Sequence, residues 1–164
     1  MCYFVFIGVP ARQQPMLFEQ LTRAGFEVRP SANPTVRAAF PKGDAVSVVT
    51  RGGCSCDIFG APAPAFDEDA ERAKYQRKNW SPAKIERAIL GKRPTERPVF
   101  ALFRNSFALV LQASSTARIL AHSFSGDVET EHVAAPEIRI LPVQKYLDDA
   151  GAYEVDVVHD VRAG

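Results

Sequence analysis

Residues 2–10 read CYFVFIGVP, an almost unbroken apolar run rich in β-branched and aromatic side chains and closed by Pro10. A half-solvated strand alternates polar and apolar residues, but this stretch offers nothing to water on either side. At nine residues it is also far too short to cross a bilayer as a helix, which takes about 20. It therefore predicts a strand covered on both faces.

Downstream, Met16, Leu17, Leu21 and Ala24 recur at helical spacing and Gly25 stands where a helix would stop. A short strand is expected over Phe26 to Arg29. Pro30, Pro34, Pro41 and Gly43 then mark a loop with one helical turn around Thr35 to Phe40. Asp44 to Arg51 (DAVSVVTR) is a strand by its valines, and it runs straight into RGGCSCDIFG at 51–60. After the APAPAF stretch, acidic Asp67, Glu68 and Asp69 suit the positive end of a helix dipole. A second helix starts at Ser81-Pro82 and stops at Gly91, so two helices with a break near Trp80 are expected.

PVFALFRNSFALVLQ (98–112) fits either one helix or two strands. The helix is preferred, because Arg104-Asn105-Ser106 lacks the glycine of a tight hairpin and Pro98 suits a helix start. Arg118 to Phe124, Glu137 to Leu141 and Tyr153 to His159 read as strands, with VQKYLDDAG a short helix ended by Gly151. This order of elements indicates one α/β (or α+β) sandwich over residues 1–164. Its mixed sheet has about five to six strands with helices packed on it, and its first six elements suit a split β-α-β core of ferredoxin-like type.

Composition is that of an ordinary globular chain: 46% hydrophobic, 24% charged, formal charge +1. A domain of this length buries roughly 70% of the surface its unfolded chain exposes and needs no covalent staple. Three cysteines, an odd number, and no charged segment leading into an apolar one argue against a secreted disulfide framework and for a cytoplasmic protein without a membrane partner. Charge is unevenly spread. Arg72 to Arg104 holds ten bases against two acids, and Asp127 to Arg162 nine acids against three bases. Such asymmetry marks either a polyanion surface or two segments that neutralise each other.

The chemistry-bearing candidates are few. Cys54 and Cys56 sit one residue apart at a strand end, and two thiolates on a short loop supply half a zinc site. His122 is the leading candidate for a further ligand, with Cys2, Asp57, His132 and His159 behind it. The same pair, Cys54 and Cys56, can act as a redox couple, although Cys-x-x-Cys opening a helix is the usual spacing. Both sulfurs can equally be inert, since free cysteine is among the most buried residue types. Gly52-Gly53 matches no phosphate-loop pattern and reads as a turn. Cys2 would be a nucleophile only with Met1 removed, and reads better as a strand residue. HSFSGDVETEH (122–132) reads as a polar acidic turn.

Tyr75 and Trp80 lie among the cations of 72–104, so Arg77, Lys78, Lys84 and Arg87 are the candidate contacts to an anionic partner, nucleic acid or acidic protein. A pI near 7.7 is low for a dedicated nucleic-acid domain. Two functions from different classes thus remain: a metal or thiol site at Cys54, Cys56 and His122, or a binding module. A homo-oligomeric structural domain is the third.

Overall fold

The computed structural model describes residues 2–59, 67–92, 98–114, 116–148 and 154–162. The APAPAF stretch and Gly151 lie outside the described residues. The contacts divide the chain into two compact units, Met1–Phe59 with Arg97–Gly164, and Gly60–Glu96.

The larger unit is organised by strand β1 (Cys2–Pro10), which is paired antiparallel along both edges. On one side lies β3 (Asp44–Thr50), with β2 (Glu27–Pro30) beyond it. On the other lies β4 (Thr116–Phe124), then β6 (Val157–Arg162), then β5 (Glu137–Pro142). The sheet is mixed: β5 and β6 run parallel and every other pair is antiparallel. β1 and β2 are joined through helix α1 (Gln14–Arg23) and have β3 between them, while β1 itself lies between β3 and β4. These interleaved halves are the expected split β-α-β core.

Residues of β1 alternate between two separate cores. Val5, Ile7 and Val9, at most 1% exposed, meet Leu17 and Leu21 of α1 and Phe103, Phe107 and Val110 of α5 (Pro98–Ala113). Phe4 and Phe6 point the other way, toward Val36 of α2 (Pro34–Ala38), Phe40, Val48, Leu120, Phe124 and Val133. The apolar run is continuous because both faces are dry. Stretch 98–112 is helical, as its spacing suggests, and its Phe103 and Phe107 join Phe26 and Tyr146 in the first core as a chain of contacting rings. Helix α6 (Val143–Asp148) links β5 to β6.

Local boundaries follow backbone chemistry. Asn33 caps α2, its side chain accepting from the N–H groups of Thr35 and Val36 while its amide donates to the Val128 and Glu131 carbonyls. The last strand runs from Val157 and not from Val155, because Asp156 takes a left-handed turn (φ 63°) with its N–H bonded to the Ala121 carbonyl; Tyr153, where the expected strand started, lies outside the described residues. In the smaller unit, α3 (Glu68–Arg77) is capped by Asp67, and α4 (Pro82–Leu90) follows a break at Asn79 (φ 54°). Tyr75, Ile85 and Ile89 form its core.

Gly8 is the one position of β1 where a side chain has no room. A Cβ there would stand 2.4 Å from Phe40 Cδ1 and 3.1 Å from Asp44 Oδ2. Beside this gap Arg118 of β4 donates to Asp44 of β3 (2.6 Å), with β1 lying between their strands, and Asp160 lies 3.6 Å from the Arg118 Nε. Arg162 (2.6 Å) and the Thr116 hydroxyl (2.9 Å) complete the Asp160 carboxylate. Burial alone would raise the Asp160 pKa, but the bonds from Arg162 and Thr116 and the charge of Arg118 bring it below the usual value. Replacing Gly8 with Ala should cost about 1–3 kcal/mol in urea unfolding, an overpacking penalty. Phe40→Leu in the same chain should recover part of that loss; additive penalties would show that Phe40 is not what the new methyl meets.

His159 is 4% exposed, and its Nε2 accepts the Glu154 N–H at 3.0 Å. Burial lowers its pKa from 6.5, with the Glu154 charge opposing in part. The unfolded chain therefore takes up the proton more readily than the folded one. The stabilisation is complete above pH 6.5 and is lost as pH falls through the lower, folded-state value. Asp160, likewise lowered, adds a second loss below 3.8. Unfolding free energy measured from pH 8 downward should fall first below neutrality, and His159→Gln should flatten that first decline alone.

Candidate metal centre

β3 leaves the sheet at a two-residue turn. Gly52 (φ 66°) and Gly53 (φ 91°) both occupy the left-handed region, and the Arg51 N–H bonds to the Cys54 carbonyl at 2.8 Å. Two such positions in succession suit glycine, which takes them without strain, so the pair reverses the chain at once. The returning segment, residues 54–56, lies against the start of β1. β1 pairs with β3 only from Val5 onward, and the returning segment bonds to Tyr3 and Val5.

Ser55, between the two cysteines, fixes the geometry. Its N–H donates to the Tyr3 carbonyl (2.8 Å), and its hydroxyl donates to the Val49 carbonyl (2.5 Å) and accepts the Val5 N–H (2.9 Å). Its carbonyl accepts the N–H groups of Ile58 (3.0 Å) and Phe59 (2.7 Å). The residue is fully buried. Ile58 and Phe59 anchor the far end of the loop in the core, Phe59 tilted against Tyr3 at 5.4 Å. With Ser55 turned inward, its two neighbours are left to meet the start of β1.

The ligand atoms of Cys2, Cys54 and Cys56 all lie within 4.8 Å of one another. Cys2 is exposed and the other two are half-buried, and all three are free thiols. Three thiolates around zinc, at about 2.3 Å each, stand about 3.8 Å apart at the tetrahedral angle, so a small rotation of side chains closes the set. The Tyr3 N–H already donates to the Cys56 sulfur at 3.4 Å, which ties this sulfur to the start of β1.

Two other candidate ligands, His122 and His159, are engaged elsewhere. His122 Nδ1 is bonded to the Asp156 carboxylate and its ring meets Phe124 edge-on at 4.5 Å. It lies outside the three-sulfur set, the one such group among the described residues. His159 is held by Glu154. Asp57 is exposed, and Arg51 lies over the Phe26 ring, 6.0 Å from its centroid. The turn after His122 is polar as expected, Glu131 accepting from the Ser125 and Gly126 N–H groups.

No family model matches this chain, nor does any curated protein or solved structure.

In the smaller unit Arg77, Lys78, Lys84 and Arg87 are all exposed. The interleaved aromatics are turned inward. Trp80 stacks on Tyr75 at 4.6 Å, and the Lys84 ammonium covers its ring at 4.1 Å. Other cations of the stretch are neutralised locally: Arg72 binds Glu68 and Glu86, and Lys92 binds Glu71. Among the described helices none is long and apolar enough to cross a membrane.

Cys2 was the weaker sequence candidate and Ser55 was not one at all. Both depend on which strand lies beside β1. Ser55→Ala should lower unfolding free energy by about 1–3 kcal/mol by orphaning the buried Val5 N–H and Val49 carbonyl. Denaturant titration measures the cost, and an unchanged midpoint would show that the hydroxyl is not what holds the loop.

Proposed function

We propose that the chain binds a thiophilic metal ion through Cys2, Cys54 and Cys56, zinc being the first candidate. The reading rests on one observation: three sulfurs from segments about fifty residues apart gather within 4.8 Å. Soft thiolates select zinc and monovalent copper over magnesium or calcium. Three protein ligands leave a fourth tetrahedral position for water or an incoming ligand, which distinguishes such a centre from a closed structural one. The ion would neutralise charge that three adjacent thiolates cannot carry together, and exposed Cys2 is the ligand most open to exchange. Thiol chemistry at the same residues is the second reading, favoured by the same proximity. It requires an oxidant to take two electrons and two protons from a pair of these cysteines.

The reduced protein should take up one zinc or cobalt ion per chain, with the intense thiolate charge-transfer absorption of cobalt as the optical signature. Each single variant, Cys2→Ser, Cys54→Ser and Cys56→Ser, should weaken uptake at least about tenfold, in line with loss of one ligand. His122→Ala should leave it unchanged. Affinity should rise with pH, because thiols must lose their protons to bind. Absence of stoichiometric metal after anaerobic reconstitution, or affinity indifferent to all three substitutions, overturns the reading.

A further inference from the structure

Among the described residues the sheet has two edges, β2 and β5, with no strand beyond either. β2 presents four residues, ends in Pro30, and its Arg29 is paired with Glu129. A short, charged edge closed by proline resists further pairing. β5 is different. Five of its six residues are exposed, among them Ile138 (55%) and Ile140 (63%). These isoleucines share a face with Val158, which is opposite Ile138 and fully buried. Two adjacent apolar side chains on an unpaired edge are what edge protection normally removes.

The charges on β5 say what fits there. Glu137 and Arg139 alternate with the isoleucines and share the opposite face, where Arg139 bonds Glu137 and Glu154. A second β5 laid antiparallel about a two-fold at Ile138 sets each Glu137 against the Arg139 of the other copy, with Ile138 facing Ile138. Centring the axis on Arg139 instead opposes two guanidinium groups. In that register residues 137–139 of the two copies pair directly and Ile140 faces Pro136 of the other copy, so the antiparallel overlap is short. The edge is therefore self-complementary in charge, and in apolar contact at Ile138, in one register.

We propose that β5 is a homodimer edge, at which two copies of this chain join their six-stranded sheets in that register. The contact is shorter than the standard interface of about 1,600 Å², so the dimer dissociates on dilution. An extended peptide of another protein is the alternative occupant of such an edge.

Sedimentation of the full chain over a concentration series tests the proposal. A monomer–dimer equilibrium is expected. Arg139→Glu or Glu137→Arg alone sets like charges against each other at both crossings and should raise the dissociation constant at least about tenfold. The double variant, Glu137→Arg with Arg139→Glu, should restore it. Ile138→Lys, at a position more than half exposed, should abolish dimerisation without changing the melting temperature. A chain monomeric at every concentration overturns the proposal and leaves the edge to another partner. A dimer indifferent to the single reversals, or not restored by the double one, overturns it equally.

Discussion

β1 is hydrogen-bonded along both edges and buried on both faces, and most of the larger unit is arranged to meet that demand. Val5, Phe6, Ile7 and Val9, none more than 1% exposed, contribute together about 6–12 kcal/mol of gross hydrophobic stabilisation. That is comparable to the whole net stability of a typical domain, about 5–15 kcal/mol. Helices α1 and α5 cover one side of this strand, and α2 with the loop through Val133 covers the other. A strand so enclosed cannot slip by one residue without exchanging its valines and phenylalanines between two differently shaped cores.

Enclosure explains Gly8 as well. In the interior of a strand, glycine is a loss unless something takes the space of its side chain. Here the Phe40 ring takes it. Arg118 and Asp44, on strands to either side, meet next to the same gap, so the apolar and ionic contents of this face both depend on a missing methyl group. The pairing of Arg118 with two largely buried carboxylates is one from which no single member can be removed cheaply.

Much of the element order is legible in the chain. The breakers Pro10, Gly25, Pro30 and Gly91, the valines of 44–51, and the helical spacing of Val99, Phe103, Phe107 and Val110 mark elements that the structure contains. Boundaries set by a single backbone angle, such as Asp156, leave no trace in hydrophobic period. The site is half legible. Cys54 and Cys56 announce themselves by spacing, and their position just beyond a strand follows from Asp44 to Arg51. Their neighbour does not, because it depends on β3 lying antiparallel to β1, which brings the end of one strand to the start of the other. His122 looks plausible when only chain position is known, yet the fold gives it Asp156 and Phe124 for company. Ser55 is invisible for another reason: its importance lies in hydrogen bonds that reach the distant backbone of Tyr3 and Val5, and no residue pattern encodes those.

At the start of β1 one edge is paired with β4, while the other meets the loop through Ser55 and Cys56 instead of a strand. Along its β3-facing edge, the Val5 amide binds a hydroxyl and the Tyr3 amide binds a sulfur. A change at the Cys56 sulfur would reach the sheet through that outermost rung. The Tyr3 amide proton is thus a native spectroscopic reporter on the sulfur beside it.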